Sequence, residues 1–162
     1  MFGLPAGGLT LVKTQTIGTA VSSVTVSSAF SATYNAYRIL ISGGVGSTNQ
    51  NMTLTLTGST TGYYSGGFET EYAGVTRGWF NNNAAGWVTF SAMNTQFINM
   101  DFELVEVAIA RYTRFKSTFI NNGTAIQIAG VHQVATAYTG FTVTPTSGTM
   151  TGGTIRVYGY QN

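Results

Sequence analysis

The stretch Met52-Thr53-Leu54-Thr55-Leu56-Thr57 alternates apolar and hydroxyl-bearing side chains without interruption. Successive side chains of a β-strand point to opposite faces, so this period of two places Met52, Leu54 and Leu56 on one buried face. The threonines then face solvent or a partner. The pattern predicts a half-buried β-strand.

Comparable strand patterns recur along the whole chain. Runs rich in Val, Ile, Thr, Tyr and Phe, which pack well on a pleated surface, cover residues 21–26, 37–42, 87–93, 97–109, 115–120, 126–134, 141–144 and 154–160. Turn residues separate them: Gly43-Gly44, Asn49-Gln50-Asn51, Gly66-Gly67, Asn81-Asn82-Asn83, Asn121-Asn122-Gly123 and Gly152-Gly153. No long amphipathic helix interrupts the series. The sequence therefore predicts an all-β protein, a jelly-roll-like antiparallel β-sandwich.

The length of 162 residues suits one domain with a substantial core. We expect a single β-sandwich domain over residues 9–162. Residues 1–8 have no partner in the strand pattern and are expected to form an extended N-terminal arm. Phe2, Leu4 and Pro5 are its candidate contact residues, because an apolar segment with a proline can extend and dock without a fixed fold.

Charge is scarce in this chain. Only 7% of the residues are charged, where a typical domain has about 25%. Charge usually keeps a protein soluble and monomeric, so its scarcity predicts a surface that is largely hidden in an assembly. The seven cations are scattered, which argues against a nucleic-acid partner. No apolar run approaches the roughly 20 residues of a membrane-spanning helix.

The sequence offers little for catalysis. His132 is the only histidine, there is no cysteine, and no serine lies in a GxSxG elbow. His132 alternates with apolar residues in a strand run, which predicts a structural role. We therefore expect no enzyme activity, no catalytic residue, no cofactor and no metal.

Asp101 and Glu103 are two residues apart, so on a strand their carboxylates share a face. Three interpretations are open: a cation site, a hydrolytic pair, or ion pairs with the cations that follow. We favour the ion pairs and predict a hairpin in which three acids face three cations. The predicted pairs are Asp101 with Lys116, Glu103 with Arg114, and Glu106 with Arg111.

Aromatic residues crowd a Gly- and Asn-rich stretch. Tyr63, Tyr64, Trp79 and Phe80 are the candidates for an exposed surface on loops there. Such rings can fill the core, anchor a protein interface, or stack on the apolar faces of sugars. The sequence leaves the three alternatives open.

Three segments resemble those of a known group of proteins. The run from Phe141 to Tyr160 (FTVTPTSGTMTGGTIRVYGY) resembles the ending of small β-rich virion proteins of tailed bacteriophages. The runs from Thr16 to Val26 (TIGTAVSSVTV) and from Ser59 to Tyr64 (STTGYY) are similar to other parts of that group. These are motifs of strands and turns, and no catalytic signature accompanies them.

The resemblance implies a structural protein of the virion, which is assembled in the host cytoplasm. The first expectation is a capsid decoration, or cement, protein on the capsid surface. It would form a homotrimer, contact the major capsid protein and clamp neighbouring capsid subunits. The alternative is a tail-fibre or receptor-binding head module that binds a bacterial surface glycan. Neither reading predicts a nucleic acid or a membrane as partner.

Overall fold

A computed structural model describes residues 8–161 of the chain. These residues form an all-β protein without a helix, built from antiparallel sheets that pack as a sandwich, which confirms the predicted fold class. No helix in this part of the chain has the length and apolarity needed to cross a membrane. The strands are β1 (Leu9–Thr16), β2 (Val24–Val26), β3 (Ala36–Ser42), β4 (Val45–Gly46), β5 (Gln50–Leu56), β6 (Tyr63–Glu71), β7 (Thr76–Ala84), β8 (Trp87–Met93), β9 (Ile98–Val105), β10 (Thr113–Asn121), β11 (Thr124–His132), β12 (Phe141–Pro145), β13 (Met150–Thr151) and β14 (Thr154–Tyr160).

One strand joins the two layers of the sandwich. The large sheet has the order β1-β14-β3-β9-β10-β11-β6-β7, and the small sheet has the order β2-β12-β5-β8. The first residues of β9 pair with β8, as Ala92 with Asn99 and Met93 with Ile98. The rest of β9 then runs between β3 and β10. A small separate ladder joins β13 to β4.

The core lies between the two sheets. Met52, Leu54 and Leu56 of β5 are fully buried, as their alternation with threonine predicts. Across the layers, the ring of Trp87 in β8 stacks on that of Phe115 in β10 at a centroid distance of 4.8 Å. Burial of such large rings, together with the aliphatic residues around them, drives the packing of one sheet on the other.

Three of the longer strands, and the two-residue strands β4 and β13, differ from the sequence prediction. β1 was not expected, and β6 and β7 occupy the stretch in which the aromatic residues were expected on loops. Gly66-Gly67 lies inside β6 and Asn81-Asn82-Asn83 lies inside β7, so neither group makes a turn. The reason is tertiary: β6 pairs with β11 along its whole length, and this ladder overrides the weak strand preference of glycine.

The N-terminal arm cannot be compared with the prediction. Phe2, Leu4 and Pro5 lie outside the described residues. Strand β1 begins at Leu9, and the backbone amide of Gln161 donates a hydrogen bond to the carbonyl of Gly8.

Candidate functional site

The outer face of the large sheet, which points away from the small sheet, carries the ion pairs that join β3, β9 and β10. Alternation in β9 sends Phe102 and Leu104 into the core and turns Asp101 and Glu103 outward. Arg38 of β3 and Lys116 of β10 lie opposite Glu103 in the two neighbouring strands. The predicted common face for the two carboxylates is confirmed.

Each of these carboxylates has its own cation. Arg38 donates two hydrogen bonds to Asp101, from Nε to Oδ1 at 3.1 Å and from Nη2 to Oδ2 at 2.7 Å. The Lys116 ammonium lies 2.7 Å from Glu103 Oε2, and the Tyr160 hydroxyl donates to the other oxygen of Glu103. Partial burial acts to raise the pKa of Glu103, but the hydrogen bonds from Lys116 and Tyr160 outweigh it and hold that pKa below its ordinary value.

The predicted hairpin, in which three acids face three cations, has the right strands, β9 and β10, but the wrong register. β9 and β10 are neighbours, but Glu103 is opposite Lys116, so the pairs Glu103 with Arg114 and Asp101 with Lys116 do not form. Glu106 does contact Arg111 at 3.2 Å and also binds Arg114 at 3.0 Å. Glu106 has a left-handed backbone with φ of 63°, outside the ladder, so the connection is a wide loop and does not follow the predicted symmetry.

This arrangement bears on the cation-site alternative. Both oxygens of Asp101 accept from Arg38, and both oxygens of Glu103 are occupied by Lys116 and Tyr160. No group of three or more His, Asp or Glu side chains in residues 8–161 could hold a metal ion. Structural ion pairs are the interpretation that the geometry supports.

The four candidate aromatics do not form one surface. Tyr63 is fully buried: its hydroxyl accepts the Leu56 amide at 2.7 Å, and its ring meets that of Trp87 at 5.0 Å. Trp79 is partly buried and packs against the core. Of the three alternatives open to these rings, Tyr63 therefore takes the place in the core, because alternation in β6 directs it inward.

Phe80 is the candidate that the structure exposes most. Its side chain is 80% exposed, and it stands on the outer face because its partners across the sheet, Gly66 and then Ala129, both face outward. Tyr64 is half-buried on the same face. Phe68, another aromatic residue of this stretch, is 49% exposed on the same face.

His132 lies in a buried aromatic cluster at the end of β11. Its ring is 4.3 Å from the ring of Tyr63 and 5.3 Å from that of Tyr138, measured between centroids. Nε2 is 3.0 Å from the carbonyl oxygen of Thr61 and 2.7 Å from Ser59 Oγ. The histidine thereby ties the loop after β5 to the large sheet, as its predicted structural role requires.

The Ser59–His132 contact has the 2.7 Å distance of a nucleophile and its base, and its chemistry depends on which ring nitrogen carries the hydrogen. A carbonyl oxygen can only accept, so in the tautomer that bonds the Thr61 carbonyl the hydrogen is on Nε2. That nitrogen then has no lone pair with which to remove the Ser59 proton. Tyr138, whose hydroxyl is 3.5 Å from Nδ1, stands where a triad would have its carboxylate.

Comparison with known proteins gave no match: no family model, curated protein or solved structure is significantly similar to this chain.

The buried histidine predicts that the protein loses stability in mild acid. Burial lowers the pKa of His132, although hydrogen bonds with the Thr61 and Val134 backbone partly offset it. In the unfolded chain the His132 side chain has the ordinary pKa of about 6.5. Below that pH the unfolded chain therefore binds a proton more readily than the folded state does, which favours unfolding. We expect a lower thermal unfolding midpoint at pH 5 than at pH 7.5.

Two measurements assign this effect to His132. The variant His132→Gln should show a smaller change between the two pH values. Because the chain has one histidine, its ring signals in an NMR titration are unambiguous, and their midpoint should lie below 6.5. A midpoint at or above 6.5 in the wild-type protein would contradict the prediction.

Proposed function

We propose that this protein is a structural component of a bacteriophage virion, most specifically a capsid decoration protein that clamps neighbouring capsid subunits. The observation that carries the proposal is the charge-poor surface. All five acidic residues form ion pairs with cations of the same chain, while Leu9 and Leu11 of β1 stay exposed. Such a surface can be covered by a neighbouring subunit at a small cost in charge desolvation.

The clamp would act through buried area and through the number of contacts. Apolar burial contributes about 25 cal/mol per Å², less the cost of ordering the partners. A trimer that touches several capsid subunits at once adds its weak contacts by avidity. The resemblance of residues 141–160 to phage virion proteins supports the same assignment.

In the alternative, the protein lies on the tail, where it forms the receptor-binding tip of a tail fibre. The two differ in location, and this makes the test direct. We expect antibodies against the purified protein to label the heads of the virus particles in electron micrographs. Labelling confined to tail fibres would overturn the decoration proposal, and absence from purified particles would overturn the virion assignment altogether.

The proposal predicts a homotrimer. β1 is an edge strand of the large sheet that pairs only with β14 in the described part of the chain, and Leu9 and Leu11 project from it with 43% and 52% exposure. Light scattering should give about three times the chain mass of 17.1 kDa. The double variant Leu9→Ser, Leu11→Ser should shift the mass toward the monomer. A wild-type protein that stays monomeric at high concentration would contradict the prediction.

The proposal also assigns Phe2, Leu4 and Pro5 to attachment. Deleting residues 1–7 leaves β1 intact, so we expect an unchanged unfolding midpoint and weaker binding to particles that lack the protein. The variant Phe2→Ser, Leu4→Ser is the matched control, since it keeps the length of the arm and removes its apolar side chains. Equal binding by both variants and the wild type would show that the arm does not attach the protein.

A further inference from the structure

A shallow groove crosses the outer face of the large sheet from β6 to β10. It is lined by Gly66, Phe68, Lys116, Thr118, Gln127 and Ala129. Beyond Lys116 it continues over the ion pairs, where Arg38, Asp101 and Glu103 form its wall. The groove therefore has an aromatic end at β6 and β7 and a polar end at β9 and β3.

Two phenylalanine rings stand free at the aromatic end. Phe68 is 49% exposed and Phe80 is 80% exposed, on strands that are hydrogen-bonded neighbours. Each has a glycine as its cross-strand partner: Phe68 is opposite Gly78, and Phe80 is opposite Gly66. An exposed ring in a sheet ordinarily packs against the side chain opposite it, and here no side chain is present.

The backbone does not require either glycine. Gly66 and Gly78 do not have a positive φ, and a Cβ atom added at either one would meet nothing nearer than 3.9 Å. Six other glycines without a positive φ are required by close packing, because a Cβ atom added there would lie within 3.0 Å of a neighbouring atom. They are Gly46, Gly67, Gly86, Gly130, Gly140 and Gly159. A glycine inside a strand weakens it and often marks a bulge, a tight bend or the close approach of another molecule. The β6–β7 register is regular from Ser65 to Thr70, so no bulge accounts for Gly66 or Gly78.

We propose that this groove binds a neutral oligosaccharide. The free faces of Phe68 and Phe80, with open space beside each, suit the apolar faces of sugar rings. Gln127 lies opposite Phe68, and Thr118 lies opposite Gln127, so an exposed amide and a hydroxyl follow the rings across the sheet. These groups can bond the hydroxyls of a sugar whose ring stacks on phenylalanine.

Charge decides between a neutral and an ionic ligand. The polar end holds two cations and two anions, and these form the pairs Arg38 with Asp101 and Lys116 with Glu103. The two pairs cancel in charge, so they offer no net charge to an ionic ligand, whereas a neutral polyol can use their remaining hydrogen-bonding capacity. A protein partner would favour an apolar centre with a polar rim, and here the rings lie at one end with polar groups in the middle.

This inference goes beyond the proposed function and does not depend on it, because a head or a tail protein could carry the site. The test is affinity electrophoresis of the full chain in native gels that contain a neutral polysaccharide: dextran, starch, galactomannan, β-glucan or galactan. We expect at least one of them to retard the wild-type protein. NMR titration with an oligosaccharide of that polymer should then shift the amide signals of Gly66, Gly78 and Gln127.

Substitutions at the glycines make the test specific. Gly78→Val and Gly66→Val fill the space beside the rings where the fold has room, so the unfolding midpoint should stay the same or rise while affinity falls at least tenfold. Phe80→Ala should lose affinity to a similar extent. Tyr72→Ala is the matched control, because Tyr72 is also exposed, at 69%, just beyond the end of β6, outside the groove.

The outcomes distinguish a sugar-binding groove from a contact surface between subunits. Retardation that survives both glycine substitutions, or that Tyr72→Ala abolishes equally, overturns the inference. So does a failure of every gel to retard the wild type. If Gly78→Val changes the oligomeric mass, the groove is a contact between copies and the sugar assignment is wrong. None of these results alters the expected labelling of particle heads, which tests the proposed function alone.

Discussion

The stacking of Trp87 on Phe115 across the two layers is the contact on which the rest of the molecule depends. Trp87 is fully buried, and its ring also meets that of Tyr63 edge-on at 5.0 Å. Phe90 and Phe102 form a second contact between the layers at 5.2 Å. Because these rings hold β8 and the rest of the small sheet against β9 and β10 of the large sheet, the backbone that carries the outward-facing residues of β9 and β10 rests on a packed core.

This packing has a consequence for the outer face. The small sheet covers only one side of the large one, so the other side must remain compatible with water or with a partner. The chain meets that requirement with few charges, and it neutralises them locally in pairs such as Arg38 with Asp101. The result is a face without a strong field, on which exposed rings and hydroxyls are the main means of recognition.

The sequence predicted best where alternation is undisturbed. Met52, Leu54 and Leu56 revealed their strand because each alternates with threonine, and the same period placed Asp101 and Glu103 on one face. It failed in the β6–β7 hairpin, where Gly66, Gly67 and Gly78 remove the side chains from which a period is read. The turn around Gly74 could have supplied the register. A hairpin centred on Ala73 places Phe68 and Phe80 on one face of the sheet, and Tyr63 and Trp79 on the other. The predicted pairing of charges between β9 and β10 was wrong for a different reason. Glu106 has a left-handed backbone and begins a wide loop, and strand alternation does not predict the length of such a loop.

The position of β14 has a consequence for how the chain acquires its fold. β14 lies between β1 and β3, so the first described strand can join the sheet only after the last one is available. During synthesis, β1 therefore waits without its partner while the hairpins of the middle of the chain form from local contacts. Closing so distant a pair costs loop entropy before any contact offsets it, which makes the final step slow. Until β14 is available, the leucines of β1 can contact neighbouring chains. The strand that completes the domain can therefore also start association between chains.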